Sequence, residues 1–407
     1  MISLSAPHTQ IRASIQLPSS KSESNRALII QALSREPVVL ENLSQARDTR
    51  TMIRLLESEG QVMDVIDAGT TMRFLTAYCA VSGRDQILTG TPRMCRRPIG
   101  ILVDALRGLG AEIEYWNQEG YPPLHVVSKG SRMHGGALSM RGDVSSQFIS
   151  AILMIAPCLP GGLELTLTGE IASRPYIETT RSLMAHFGVE TRWEGDTLMV
   201  PESPYRANTL RIEPDWSAAS YWYSMAALAE SAEITLEGLR DASFQGDRRI
   251  AELMEPFGVR SEFRGDAVVL TRMPGPYPDS LEFDLTENPD LAQTLAVAAA
   301  ATGVSLRMTG LQTLRIKETD RIAALQQELG KVGVQIEAAD DSLTVGGQAQ
   351  PTREIIATYE DHRMAMAFAP LVLRTGQLSI ADPLVVEKSY PDFWRHLELA
   401  GIRTQRW

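Results

Sequence analysis

The sequence predicts a mixed α/β (α+β) chain of two globular halves, each built from three copies of one unit. Three recurring landmarks carry that expectation. The first is a β-like run closing in Gly or another turn residue: Val39 to Asn42, Ile87 to Gly90, Leu165 to Gly169, Ile234 to Gly238, Leu306 to Gly310 and Leu378 to Asp382. The second, further on, is a helical pattern stopped by Gly and followed by an alternating strand, with the stops at Gly60, Gly110, Gly188, Gly258, Gly333 and Gly401. The third is a helix start before each β-run, at Ser20, Asp67, Asp143, Asp215, Asp290 and Asp361. Ser and Asp suit that position because their side-chain oxygens accept from orphan N–H groups of the first helical turn. The unit then reads as capped helix, strand, loop, helix, Gly, strand, strand. A period of about seventy residues is too long for the common solenoids, whose units run to about 20 to 50 residues. Three such units bury a core of ordinary domain size.

In chain order, the alternation of Ile2 and Leu4, then of Ile11, Ala13, Ile15 and Leu17, predicts strands. The extended run ends at Pro18. Ser20 followed by Glu23 forms a capping box that opens a helix over Ala27 to Ile30. The step from Gly60 to Gly90 is much shorter than those from Gly110 to Gly169 and from Gly188 to Gly238, so one copy has lost about a strand pair. Pro201 to Pro204 and Glu213-Pro214 mark the boundary between halves. In the second half Pro289-Asp290 opens an Ala-rich helix from Leu291 to Ala301. Lys317 and Arg321 fall at i, i+4, predicting one helix face.

Bulk properties narrow the function. A chain of 407 residues with 44% hydrophobic content supports well-formed cores. A net charge of -11 argues against a general nucleic-acid or anionic-membrane binder, so anions are expected only in a local basic cleft. The three cysteines, Cys79, Cys95 and Cys158, are scattered, which favours a reducing compartment over a disulfide framework. The six histidines form no metal-spaced cluster, and the apolar stretches are too short or interrupted to span a bilayer. A cytoplasmic, metal-free, monomeric protein is the expectation.

Polar residues collect at loop-to-helix starts. Lys21, Ser22 and Arg26 crowd the first capped helix, where free N–H groups and the helix dipole already attract anions. Gly69 leaves space for close backbone approach by an anion, and Arg93, Arg96 and Arg97 share one short loop. Arginine offers a planar fork matched to carboxylate and phosphate. Ser145, Ser146 and Gln147 open another helix, and Ser173 precedes one with Pro175 in its first turn. Asp290, the segment Lys317-Glu318 to Arg321, Arg363 and Lys388 complete the set.

The strings LPSSKSESNRA, DAGTTMRFL, RPIG, SSQF, SRPYI, IKETDR, DHRMAMAF and EKSYPDFW occur in this order along nearly the whole chain. Together they resemble the 5-enolpyruvylshikimate-3-phosphate synthases (3-phosphoshikimate 1-carboxyvinyltransferases). The resemblance implies two domains, each of three βαβαββ units with pseudo-threefold symmetry: residues 1–18 plus 214–407, and residues 19–213, with the active site in the cleft between them. It implies transfer of the enolpyruvyl group of phosphoenolpyruvate to the 5-hydroxyl of shikimate 3-phosphate, without metal or organic cofactor. By motif, Lys21, Ser22, Arg26, Ser145, Ser146, Gln147, Ser173, Asp290 and Lys317 match binders of shikimate 3-phosphate. Lys21, Gly69, Arg97, Gln147, Arg321, Arg363 and Lys388 match the phosphoenolpyruvate site. Asp290 matches the proton acceptor at the hydroxyl, Glu318 the acid at the methylene carbon, and Lys21 a group assisting phosphate departure.

The chain departs from the family pattern at Thr313 and Asp67, where Asn is common, at Phe74, where Pro is frequent, and in the shortened repeat; Thr71 lies in the same stretch as Asp67 and Phe74. A related enolpyruvyl transferase, acting on UDP-N-acetylglucosamine, carries a reactive Cys about five residues before its Arg-Pro pair. Cys95 stands two residues before Arg97-Pro98. A non-catalytic anion-binding scaffold is a further alternative; it would gain nothing from carboxyl groups such as Asp290 and Glu318 among its cations.

Overall fold

The Ala-rich run after Pro289 folds into the helix Ala292–Thr302, which is buried from Ala292 to Ala301. A helix apolar on every side belongs in the middle of a core. Two further helices of this kind, Trp216–Leu228 and His362–Phe368, pack against it. The computed structural model describes residues 1–127 and 132–407. Its contacts divide the chain into one unit of Met1–Pro18 with Glu213–Trp407 and another of Ser19–Ile212. In the second unit the helices Lys21–Leu33, Gly69–Ser82 and Ser146–Ile155 take the corresponding central places.

Around the central helices of the first unit lie three four-stranded sheets of one design. Gln10–Gln16 pairs in parallel with Ser231–Glu237, which continues antiparallel through Ala267–Arg272 to Val259–Phe263. Ser280–Asp284, Ser305–Thr309, Leu343–Gly346 and Gln335–Ala338 repeat the order. In the third sheet Ile355–Ile356 pairs with Gln377–Ile380, and the N-terminal strand Ile2–Ser5 is inserted between Gln377–Ile380 and the last strand, Arg403–Arg406. Each parallel pair is bridged by a central helix and an outer helix precedes the antiparallel strands, giving βαβαββ, with the last strand of the third unit supplied by Ile2–Ser5 from the start of the chain. Alternation fixes the register, with Ile11, Ile15, Ile234, Leu236, Val268 and Leu270 all turned into the core.

The second unit has two such sheets, one starting at Val62–Asp64 and one at Gly136–Arg141. Its third sheet has only Thr209–Arg211 in parallel with Val39–Glu41. After the helix Arg47–Leu56 the chain runs directly to Val62–Asp64. The strand pair missing there, among the described residues, is the one that the short step from Gly60 to Gly90 predicts.

Several local expectations are corrected. Ser20, Asp215 and Asp361 do cap helices, accepting from the N–H groups of Glu23, Ala218 and Arg363. Asp67, Asp143 and Asp290 do not. Their helices begin at Gly69, Ser146 and Ala292, and each carboxylate is held by arginine: Asp67 by Arg47, Asp143 by Arg141, and Asp290 by Arg321 and Arg363. A carboxylate makes charge-assisted bonds to a guanidinium as readily as to capping N–H groups, and in these three places the arginine holds it. Gly110, Gly188, Gly258, Gly333 and Gly401 take positive φ as helix stops, whereas Gly60 lies beyond a helix that ends at Leu56. Lys317 and Arg321 do not share a helix face, because the helix Arg321–Gly330 starts only after Asp320, which caps it. Glu213 belongs with the first unit, where its carboxylate accepts from Trp216 Nε1 (3.0 Å) and the Arg240 N–H (3.1 Å).

Candidate active site

In the first unit the starts of four helices converge. Trp216–Leu228 brings Ser217, Ala292–Thr302 is preceded by Asp290 in a 3-10 turn, Arg321–Gly330 begins with Arg321, and His362–Phe368 brings Arg363. Arg321 is 1% exposed and lies at the centre. Its Nη1 donates to Asp290 Oδ1 (2.8 Å), Nη2 to Glu318 Oε2 (2.8 Å) and Nε to Asp361 Oδ2 (2.7 Å). Burial disfavours its charge, and Asp361, Glu318 and Asp290 more than compensate, raising the guanidinium above its ordinary value.

Asp290 is approached from three sides. Arg363 Nη2 donates to Oδ2 (3.1 Å), and Lys317 Nζ lies 3.4 Å from Oδ1, the oxygen that also accepts from Arg321. Burial pushes this carboxyl up, and Arg363, Lys317 and Arg321 override it, holding the group far below the usual carboxylate range. Arg363 Nη2 also donates to Ser217 Oγ (3.2 Å), whose hydroxyl bonds the buried Asp247. Lys388 Nζ is 4.0 Å from Glu318 Oε1. Four cations, Lys317, Arg321, Arg363 and Lys388, thus meet four carboxylates, Asp290, Glu318, Asp361 and, behind Ser217, Asp247, at converging helix N-termini. The side-chain charges balance, and the helix dipoles add positive potential.

The second unit gathers its own set. Lys21 Nζ lies 3.3 Å from Oδ2 of the buried Asp48, whose backbone carbonyl accepts from Thr71 Oγ1 (3.3 Å). Gly69 is the first residue of its helix. A Cβ there would strike the guanidinium of Arg97 and lie 2.5 Å from Arg73 Nη1. The missing side chain therefore makes room for two arginines, a different use of the glycine from the close anion approach that the sequence suggests. Arg73 stacks over the Phe148 ring at 5.3 Å, beside Gln147. Ser145 caps the helix Ser146–Ile155, its Oγ accepting from the Gln147 N–H (3.4 Å). Ser173 precedes Arg174–His186 in a left-handed conformation, φ 57, and is buried.

Arg26 differs from the rest. It is 3% exposed, and its guanidinium donates to Thr180 Oγ1 (2.7 Å), the Ser22 carbonyl (2.9 Å), Ser150 Oγ (3.2 Å) and the Tyr176 carbonyl (3.3 Å). Burial lowers its pKa to about 10. These bonds tie the helices Lys21–Leu33, Ser146–Ile155 and Arg174–His186 together, so Arg26 holds Ser22 and its neighbours from behind. Sequence reasoning missed Asp48, Arg73, Ser217, Asp247 and Asp361 as parts of these clusters. Asp361 was legible as a cap, but its hold on Arg321 spans 40 residues and leaves no local signal. Among the described residues no group of three or more His, Cys, Asp or Glu side chains could hold a metal ion.

A family model described as EPSP synthase (3-phosphoshikimate 1-carboxyvinyltransferase) matches residues 6–66 and 55–397. The chain belongs to the EPSP synthase family. A 3-phosphoshikimate 1-carboxyvinyltransferase of Bacteroides fragilis strain YCH46 is 49% identical over 406 residues, covering 98% of this chain and 97% of the relative. One of Methanoculleus marisnigri is 36% identical over 419 residues, covering 96% and 97%. The solved EPSP synthase of Acinetobacter baumannii superposes with a TM-score of 0.79 at 20% identity, covering 100% of this chain and 99% of that one. The enolpyruvyl transferase NikO of Streptomyces tendae gives 0.76 at 15% identity, covering 99% and 98%. These two likenesses concern the fold alone.

As a member of the EPSP synthase family, the chain fills its unusual positions in specific ways. Asp67 pairs with Arg47 (3.0 Å), Phe74 is buried under the guanidinium of Arg26 at 5.5 Å, and Thr313 is buried in the 3-10 turn Gln312–Ile316. Cys95 sits in the 3-10 turn Met94–Arg96 with its Sγ directed at the Gly90 carbonyl.

Proposed function

We propose that the chain transfers the enolpyruvyl group of phosphoenolpyruvate to the 5-hydroxyl of shikimate 3-phosphate and releases inorganic phosphate. Family membership supports the reaction. The observation that carries it to particular residues is that Asp290 and Glu318 share one buried guanidinium, Arg321, among further cations. Both substrates are polyanions, and fixed cations at helix starts hold them without reorganisation. Phosphoenolpyruvate falls to Lys21, Gly69, Arg97, Gln147, Arg321, Arg363 and Lys388. Shikimate 3-phosphate falls to Lys21, Ser22, Arg26, Ser145, Ser146, Gln147, Ser173, Asp290 and Lys317, with Arg26 acting through Ser22.

Asp290 takes the hydroxyl proton while the hydroxyl oxygen attacks the enol carbon, and Glu318 delivers a proton to the methylene carbon. In the second step a proton leaves the new methyl group for Glu318 as the C–O bond to phosphate breaks, with Lys21 assisting the departing phosphate. Asp290 surrounded by three cations is a weak base. The anionic groups of phosphoenolpyruvate compete for Arg321 and Arg363, so binding itself raises the basicity of Asp290. The scattered cysteines support a cytoplasmic setting, and among the described residues no helix is long and apolar enough to cross a membrane. A monomer remains part of the reading.

Asp290→Ala tests the assignment. Turnover should fall by about two orders of magnitude or more, while shikimate 3-phosphate binding, read by calorimetry, weakens far less. Equal losses in both would make Asp290 a ligand-positioning group only.

A further inference from the structure

The helix Arg321–Gly330 carries a second buried charge two turns after Arg321. Glu328 lies seven residues on, hence on the same face and about 10 Å along the axis. It is 0% exposed and accepts three hydrogen bonds: from Tyr359 Oη (2.6 Å), the Ala357 N–H (2.8 Å) and Lys331 Nζ (2.6 Å). Lys331 also donates to the Ile355 carbonyl (2.8 Å). The segment from Ile355 to Asp361 is therefore fastened to this helix at two places, by Glu328 at one end and by Arg321 on Asp361 at the other.

Between the two fastenings the chain makes an unfavourable turn. Tyr359 and Glu360 are consecutive non-glycine residues with φ of 53 and 55. Left-handed conformations of this kind are unfavourable for residues with a side chain and persist where the surroundings impose them. The turn is closed by the Asp361 N–H on the Thr358 carbonyl (2.8 Å), with Thr358 fully buried. Its result is the placement of Asp361, whose Oδ2 accepts from Arg321 Nε and whose Oδ1 accepts from the Arg363 N–H (2.8 Å). One carboxylate thus sets both arginines that the reading above assigns to phosphoenolpyruvate, and the turn sets that carboxylate.

We propose that Glu328, acting through Tyr359, is a positioning residue for the phosphoenolpyruvate side of the site, holding the turn that delivers Asp361 to Arg321 and Arg363. The inference rests on the proposed reaction for its kinetic consequence and on geometry alone for its structural one. Glu328 touches no reacting atom. Its bond to Tyr359 stabilises the left-handed pair, and without that bond the strain relaxes toward ordinary backbone angles. Asp361 then shifts, loosening the Arg321 guanidinium and the first helical turn that carries Arg363.

The experiment compares wild type, Tyr359→Phe, Glu328→Gln and the double variant of the full chain, each assayed well below its melting temperature. Tyr359→Phe should raise the KM for phosphoenolpyruvate about 5- to 20-fold with the KM for shikimate 3-phosphate within about twofold. Glu328→Gln, which removes the charge shared by Tyr359 Oη, the Ala357 N–H and Lys331 Nζ, should act in the same direction and at least as strongly, and the double variant should fall short of the sum of the single effects, since Tyr359 acts through Glu328. A lowered melting temperature with both KM values unchanged overturns the proposal, because a merely structural role predicts that pattern. If wild type releases no phosphate from the two substrates, the functional reading fails and the crystal structure of Tyr359→Phe decides the rest. Asp361 displaced from Arg321 or from the Arg363 N–H supports the positioning claim, and an unmoved Asp361 overturns it.

Discussion

Arg321 spends its three donating nitrogens on three carboxylates, and that arrangement sets the chemistry of each. Asp290 receives a share of Arg321 together with Arg363 and Lys317, and its proton affinity is depressed in the folded chain. A depressed folded value means that its contribution to stability is fully present above the ordinary carboxylate pKa of about 4 and is lost as pH falls below it. The stability difference between wild type and Asp290→Asn, measured by urea unfolding, should stay constant from pH 7 to 5 and shrink by about 1 kcal/mol by pH 3. A difference that holds unchanged to pH 3 contradicts the ion-paired description. Gly69 poses the complementary case, where a residue matters through the space it leaves. In Gly69→Ala the new methyl displaces the tips of Arg97 and Arg73, which are flexible enough to move, so folding survives. The KM for phosphoenolpyruvate should rise about tenfold or more while the melting temperature changes little. Unchanged KM would show that those guanidiniums do not serve the substrate. Both roles were only half legible in the sequence: residue types and motif order picked out Asp290, Gly69 and Arg97, but nothing local joins Asp290 to Arg363 or Gly69 to Arg97.

Individual elements were easier to read in kind than in detail. The six β-runs and the helices after them follow from periodicity and Gly stops, which are local and act in every copy alike. The starts of helices were misread at Asp67, Asp143 and Asp290 for a common physical reason, since a cap is only one use for an aspartate and a nearby arginine is another. The IKETDR segment failed differently. Its spacing suited a helix face, but Asp320 caps at its own N–H offset and the helix begins one residue later, so Lys317 reaches Asp290 from irregular backbone. Ile66 is a case that no pattern would have suggested. It is a β-branched residue at φ 60, just after the strand Val62–Asp64, with its carbonyl bonded to the Thr91 N–H (2.8 Å). Such a residue is strained there by about 1 to 3 kcal/mol, against about 0.5 to 1 kcal/mol of extra chain entropy for glycine. Ile66→Gly should therefore raise the melting temperature by about 2 to 4 °C in a thermal scan. A fall would mean that the contacts of the isoleucine side chain outweigh its backbone strain.

At the scale of the whole molecule, the repeat was legible because each unit restates its landmarks, and even the missing strand pair showed as a shortened step. The closure of the units was not. The first unit takes strands Ile2–Ser5 and Gln10–Gln16 from the start of the chain and sets them into two different sheets, one completed by the last strand, Arg403–Arg406. The second unit likewise pairs Val39–Glu41 with Thr209–Arg211. Pairings of such sequence separation are chosen by the assembled core and have no local signature. The same holds for the chemistry. In the first unit Ser217, Asp290, Arg321 and Arg363 come from helix starts far apart in sequence and meet only once that unit's core has assembled. The most direct test is phosphate release from phosphoenolpyruvate in the presence of each acceptor separately. Release that depends on shikimate 3-phosphate, with none on UDP-N-acetylglucosamine, is the predicted result; release with the uridine sugar alone, or binding of shikimate 3-phosphate without any turnover, would contradict it.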